Sequence, residues 1–190
     1  MTRDNPYRQQ VAEWAHDLLQ QEFVIFDTET TGIGRTDEIV QLGVVDHSGE
    51  VLISTLVKPV CPISPEAQAV HGLTAAHLID APGFPGVYDQ LAAVLSGRCV
   101  VVYNADFDHK ILDQTCRRYK KPLVEPAKWM CAMKQYAQFR GVRKGNDFRW
   151  FKLTEACGHL GIESKRAHSA VDDCVLTLRV IQKMAENCKG

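Results

Sequence analysis

The sequence predicts a mixed α/β domain: a sheet whose first three strands run antiparallel, flanked by helices. Three observations carry that expectation. Apolar residues switch between helical and strand spacing along the chain. FVIFD (23–27), EIVQLGVVD (38–46) and VLISTLVKP (51–59) are β-rich runs separated by short turn-like pieces. CVVVYN (99–104) is a continuous apolar stretch of the kind buried on both faces of a sheet. With 190 residues, 45% of them apolar, the chain can bury one core. It reads as a single domain over 1–190, with a core over about 22–185 and an N-terminal helical extension over 1–21.

Taken in order, Val11, Trp14, Ala15, Leu18 and Leu19 share one face of a helix over 8–20. The three strands follow, with DHSGE as the hairpin turn after Asp46. KPVCPISPEAQAVHGLTAAHL carries Pro59, Pro62 and Pro65 and then short helical stretches, which makes it a structured loop crossing the sheet. After the strand at 99–104, helices fit 107–119, 132–139, 153–160 and 170–187, and AKWMC fits a short fifth strand. RGVRKGNDFRW (140–150) is polar, basic and glycine-containing, a mobile loop or a partner surface.

Composition narrows the function classes. Lys and Arg total 22 against 23 Asp and Glu, so no global basic field draws the chain to nucleic acid, and any such contact is local. Seven scattered cysteines without a Cys-x-x-Cys pair argue against a disulfide framework or structural zinc, and for reduced thiols in a cytoplasmic protein. The charged N-terminus has no continuous apolar segment, and no window approaches the ~18 apolar residues of a membrane span, so no membrane partner is expected.

The chemistry starts at FVIFDTETTG. On a strand, Asp27 and Glu29 project to one face while Thr28 points to the other. Two carboxylates side by side repel unless a cation sits between them, and hard divalent ions take oxygen ligands of this type. Alone, an Asp-x-Glu also simply marks an exposed strand end. Two further acidic stretches accompany it: YNADFDHKIL, with Asn104, Asp106 and Asp108, and AHSAVDDCVLTL, with His168, Asp172 and Asp173.

Together FDTETTG, HGLT (71–74), NADFD (104–108) and HSAVDD (168–173) resemble the DEDDh family of 3′→5′ exonucleases, in the family's order and over about 22–185. The resemblance implies an RNase H-like fold, with parallel strands after the three antiparallel ones. It also implies two divalent cations, Mg²⁺ or Mn²⁺, ~3.5–4 Å apart for phosphodiester hydrolysis. Asp27 would bridge both ions, Glu29 and Asp173 would complete one site and Asp108 would hold the other, directly or through water. The family's N-x-x-F-D selects Asp108 over Asp106, and its H-x₄-D pairs His168 with Asp173. His168 would act as general base, a role its ordinary pKa suits. Substrate contacts would come from Thr28, Thr30, His71, Asn104 and Phe107, although Thr30 also fits turn chemistry, and His71 and Phe107 also fit core packing. The implied partner is a nucleic acid with a free 3′ end, single-stranded and preferably DNA, with a DNA polymerase or repair assembly as a further partner. An RNA-processing exonuclease is the alternative.

Other readings rest on the residues themselves. Ser169 followed three residues later by Asp172 resembles a helix-start capping box, which gives Asp172 a structural role and leaves Asp173 for metal. Basic groups at Arg140, Arg143, Lys144, Arg149 and Lys152, and at Lys165 and Arg166, flank the third motif and suit a phosphate backbone. Arg117, Arg118, Lys120 and Lys121 read as a solvated helix end, and Asp106 as a solvated turn residue. Aspartyl-phosphate phosphatases use Asp-x-Asp where this chain has Asp27 and Glu29, and a pure binding module needs no full acid set.

Overall fold

The computed structural model describes residues 5–164 and 169–188. Its centre is a five-stranded sheet built from β1 (Val24–Thr30), β2 (Ile39–Asp46), β3 (Val51–Leu56), β4 (Cys99–Val102) and β5 (Lys128–Cys131), in the order β3-β2-β1-β4-β5. The first three strands are antiparallel, and β4 and β5 run parallel to β1, the RNase H-like arrangement. Seven α-helices flank the sheet among the described residues: α1 (Pro6–Leu19), α2 (Pro65–His71), α3 (Phe84–Leu95), α4 (Ala105–Arg118), α5 (Ala132–Arg140), α6 (Leu153–Leu160) and α7 (Ala170–Ala185). None of them is long and apolar enough to cross a membrane.

Strand alternation sorts the core into two layers. Ile25, Val45 and Val101 pack with α1, α5, α6 and α7 through Val11, Tyr136, Ala156 and Ile181. Val24, Phe26, Val44, Val100 and Val102 pack with α3 and α4 through Phe84, Leu91, Ile111 and Leu112. Being covered on both faces is why β1 and β4 read as near-continuous apolar runs.

The element boundaries differ from expectation in instructive places. β3 ends at Leu56 rather than at residue 59, because Lys58 N–H turns to the Pro82 carbonyl and Pro59 has no N–H to continue a ladder. β4 stops at Val102, and α4 begins at Ala105 instead of 107, with the Asn104 carbonyl accepting from Phe107 N–H at 3.0 Å. Asp106 is therefore a first-turn helix residue rather than a turn residue, exposed and ion-paired with Lys134 at 2.7 Å. Helix α3 was not anticipated. Its Phe84, Val87, Tyr88, Leu91 and Leu95 keep helical spacing, but Pro85 and Gly86 obscure the start, where proline is compatible with a first turn. Residues 140–150 are not a structureless loop: β6 (Arg143–Lys144) and β7 (Asp147–Phe148) form a short hairpin.

One close approach sets the position of α7. Gly43, opposite Asp27 in the β1–β2 register, lies directly under the start of this helix. A Cβ built there would stand 2.4 Å from the Ala170 carbonyl carbon and 2.6 Å from Val171 N, both backbone atoms that cannot rotate away. Ala170 N–H donates to Gln41 Oε1 at 3.0 Å, and the Cys174 thiol donates to the carbonyls of Gly43 and Ile25. Gly43→Ala should thus push α7 off the sheet and cost about 1–3 kcal/mol, as overpacking does. Urea denaturation measures the loss, and weaker Mn²⁺ binding would register the displacement of Asp173.

Candidate active site

The site forms where β1 outruns its neighbour. The β1–β4 pairing ends at Ile25 and Val101, so Asp27 to Thr30 face an uncovered edge at the carboxyl end of the parallel strands. Ligand crevices of α/β sheets open at such places. The resulting cleft of about 820 Å³ is lined by Asp27, Glu29, Asn104, Phe107, Asp108 and Asp173 among others.

Three carboxylates meet there. Oxygens of Asp27, Glu29 and Asp173 all lie within 4.8 Å of one another, two acids from one face of β1 and one from the first turn of α7. Asp108 arrives from the opposite side of the sheet, on α4. It is 4% exposed and accepts a hydrogen bond from Thr28 Oγ1 at 2.8 Å. Thr28 does point to the other face, as its strand position requires, and there it anchors the fourth acid.

This crowding leaves its mark on proton affinity. Burial raises the Asp27 pKa well above the carboxylate range, and the charges of Asp108, Asp173 and Glu29 raise it further. Burial also raises Asp108 to about 7, against the lowering effect of the Thr28 hydroxyl. An all-oxygen acidic donor set whose charges resist coexistence is the environment a hard divalent cation relieves, so these residues fit such ions.

The neighbouring acid is occupied otherwise. Asp172 is exposed and accepts from Ser169 Oγ at 2.8 Å, while its N–H donates back to Ser169 Oγ at 3.1 Å. Ser169 caps α7 as expected, its side chain accepting from the Asp172 N–H. His168, Lys165 and Arg166 lie outside the described residues.

A second recess of about 560 Å³ adjoins the acids. Thr28, Glu29, Val70 and Phe107 line both spaces, and Thr30, Ile33 and His71 line the recess alone. Half-buried Phe107 stands between the two, and exposed Asn104 lies on the cleft side at the N-cap of α4. His71 Nδ1 accepts from Leu73 N–H at 3.0 Å, so its ring proton sits on Nε2 and is donated to the Thr30 carbonyl at 3.1 Å. Burial lowers its pKa and keeps the ring neutral. Thr30 Oγ1 donates to the Gly32 carbonyl at 2.8 Å.

The wall behind the recess depends on Glu38, a residue the sequence reading passed over. It is 1% exposed; Oε1 accepts from Val60 N–H and Cys61 N–H at 3.1 and 3.0 Å, and Oε2 accepts from the Tyr119 hydroxyl. Arg118 stands 3.4 Å from the same carboxylate and donates to the Thr36 carbonyl at 2.7 Å, so it braces this loop instead of merely facing solvent. Thr31 N–H donates to the Glu38 carbonyl, its hydroxyl accepts from the Glu38 N–H, and its carbonyl accepts from the Ser64 N–H, joining the end of β1 to the start of α2 and hence to His71. An acid in a Thr-Asp-Glu turn gives no sign of burial until Arg118 and Tyr119 are seen to converge on it.

The raised carboxyl groups couple stability to pH. Their native pKa values exceed the unfolded ones, so their contribution is fully present below the ordinary carboxylate range and is lost as pH rises through the native values. In EDTA, the wild type should melt lower at about pH 8 than at about pH 6, and Asp27→Asn should lose less over that interval. Mn²⁺ should raise the melting temperature of the wild type at the higher pH and leave that of Asp27→Asn unmoved.

Comparison with known proteins agrees with this geometry. The profile of the RNase_T family, described as "Exonuclease", matches residues 24–181. The "Uncharacterized exonuclease CP81" of Escherichia phage 186 is 34% identical over 185 residues, covering 93% of this chain and 94% of that protein. The DNA polymerase III subunit epsilon of Treponema pallidum is 28% identical over 167 residues, covering 85% of this chain and 75% of its own. Among solved structures, exonuclease X in complex with 5′ overhanging duplex DNA superposes with a TM-score of 0.66 at 26% identity, covering 87% of this chain and 92% of that one. With its acids gathered in the family's motif order, the chain belongs to the DEDDh exonucleases of the RNase_T family and is a phosphodiester hydrolase.

Proposed function

We propose that this chain is a metal-dependent 3′→5′ exonuclease that trims single-stranded DNA from a free 3′ end and releases nucleoside 5′-monophosphates. The observation that carries this reading is the recess beside the acids. A strand laid in the open cleft reaches Asp27, Glu29 and Asp173 and then enters a space bounded by Thr30, Val70 and His71. One terminal nucleoside suits that space, which favours attack at the last phosphodiester. Single strands follow because seating the terminal nucleotide requires fraying it from a partner, at a few kcal/mol for an unpaired base. DNA is favoured by the likeness to exonuclease X, solved with DNA, and to a DNA polymerase subunit, which also makes a polymerase or repair assembly the favoured partner.

The residues divide the work. Asp27, Glu29, Asp173 and Asp108 would hold two divalent cations, Mg²⁺ or Mn²⁺, whose contribution is to neutralise charge building on the phosphate. Thr28 fixes Asp108 through its hydroxyl. His168 takes the proton of the attacking water as the new P–O bond forms, and the bond to the penultimate 3′-oxygen breaks. Neutral His71 holds the Thr30 carbonyl and shapes the recess for the terminal sugar.

Digestion of matched 3′-labelled and 5′-labelled DNA and RNA oligonucleotides tests the reading. The 3′ label should leave first as a 5′-monophosphate, a 3′-phosphate should block the reaction, and DNA should be cut faster than RNA. Cleavage of a circular single strand would sink the exonuclease assignment; faster loss of RNA would instead support an RNA-processing enzyme. Asp173→Asn should reduce turnover by orders of magnitude, whereas Ser169→Ala should retain turnover and lose about 1 kcal/mol of stability as a lost N-cap.

A further inference from the structure

The cleft has a rim that the trimming reaction at the terminal phosphodiester does not use. Trp150 is 58% exposed, and it lines both the acidic cleft and an adjoining groove shared with Lys144, Asp147, Phe148 and Arg149. We propose that Trp150 and the β6–β7 hairpin form a second subsite, which stacks a base and holds backbone phosphates of the strand upstream of the bond being cut. This rests on the exonuclease reading above.

The hairpin is braced for such a role. Gly145 supplies the left-handed turn at φ 63°, and the Arg143 guanidinium lies 4.1 Å from the centre of the Phe148 ring. Tyr7 meets Phe148 edge-on at 5.2 Å, tying the hairpin to α1. On one side of Trp150, Arg149 donates its N–H to the Val142 carbonyl, pairs with Glu155 at 2.7 Å and covers the Phe151 ring at 4.6 Å. On the other, the Phe151 carbonyl accepts from the buried Tyr103 hydroxyl at 3.0 Å. Trp150 is therefore held from both neighbours while its indole faces solvent. An aromatic platform whose backbone is fixed loses little entropy when a base stacks on it.

Charge selects the occupant. Residues 140–152 contain five basic side chains and one acid, Asp147, in a chain whose net charge is −1. Arg143 and Arg149 are taken up in ring contacts, while Lys144 and Lys152 are exposed, and Lys152 also lines the cleft. An exposed indole flanked by ammonium groups matches the alternation of bases and phosphates in a single strand, and stacking of this kind tolerates any base. The shared cleft gives the direction: with the 3′ end in the recess, the chain passes the acids and leaves past Trp150.

Two measurements test this. The first is KM as a function of substrate length. For the wild type KM should fall from a dinucleotide to a decathymidylate; Trp150→Ala, checked to melt like the wild type, should lose about tenfold of that fall, and Trp150→Phe should restore most of it. The second is fluorescence in EDTA, where decathymidylate should quench the wild type and not Trp150→Phe, whose remaining Trp14 and Trp129 are half-buried. An unchanged length dependence in Trp150→Ala, or an absence of quenching specific to Trp150, overturns the proposal. Should the wild type hydrolyse no oligonucleotide, the exonuclease reading fails, and the quenching experiment alone still decides whether this surface binds a strand.

Discussion

The contact on which the site depends has no side chain in it. Where Gly43 of β2 passes beneath Ala170 and Val171, two backbones lie closer than any Cβ would permit. That closeness seats the first turn of α7 over Asp27, the register partner of Gly43, and brings Asp173 into the acid cluster. Gln41 Oε1 then accepts the Ala170 N–H, one of the amides a helix start leaves without an intrahelical partner. Two residues of β2, Gln41 and Gly43, thus fix the angle at which the last helix delivers its carboxylate.

The protein maintains its acids against two costs, lost hydration and mutual repulsion, and meets them differently at each position. Asp108 is compensated by the Thr28 hydroxyl on the α4 face of the sheet. Glu38, equally buried, is saturated by two backbone amides, a phenol and a guanidinium, so it is a structural charge that joins the segment before α2 to the end of α4. Asp27 differs: among the described residues the charges that act on it are those of Asp108, Asp173 and Glu29, all of them acids. The difference separates a carboxylate that stabilises the fold from one that the fold tolerates for what it binds. Such local conflict is the pattern expected where a site departs from the preferences of the surrounding core.

Much of this was legible in the residues, and the limits have physical causes. β-rich apolar runs located β1 and β2 and suggested β5, and the spacing Asp27-x-Glu29 placed two acids on one face, because that inference needs only the pleat. The partner of Thr28 was not accessible in the same way, since it depends on which face α4 covers, and that is a property of the crossover rather than of the strand. Gly43 did carry a signal: a glycine inside an otherwise β-rich run marks a place where another backbone comes near. Glu38 carried none, being one acid in a polar turn. The hairpin after α5 was hidden because two-residue strands are too short to show alternation, and its order comes from Tyr7, distant in sequence.

Cys174 follows Asp173 directly, and its thiol is turned inward against the carbonyls of Ile25 and Gly43. Burial and the surrounding carboxylates raise its pKa well above the ordinary thiol range. A thiolate is the form of cysteine that captures thiophilic metals and reacts with oxidants. Burial first, and the neighbouring acids after it, disfavour that form, so Cys174 serves as a buried tether whose thiol ties α7 to the backbones of β1 and β2.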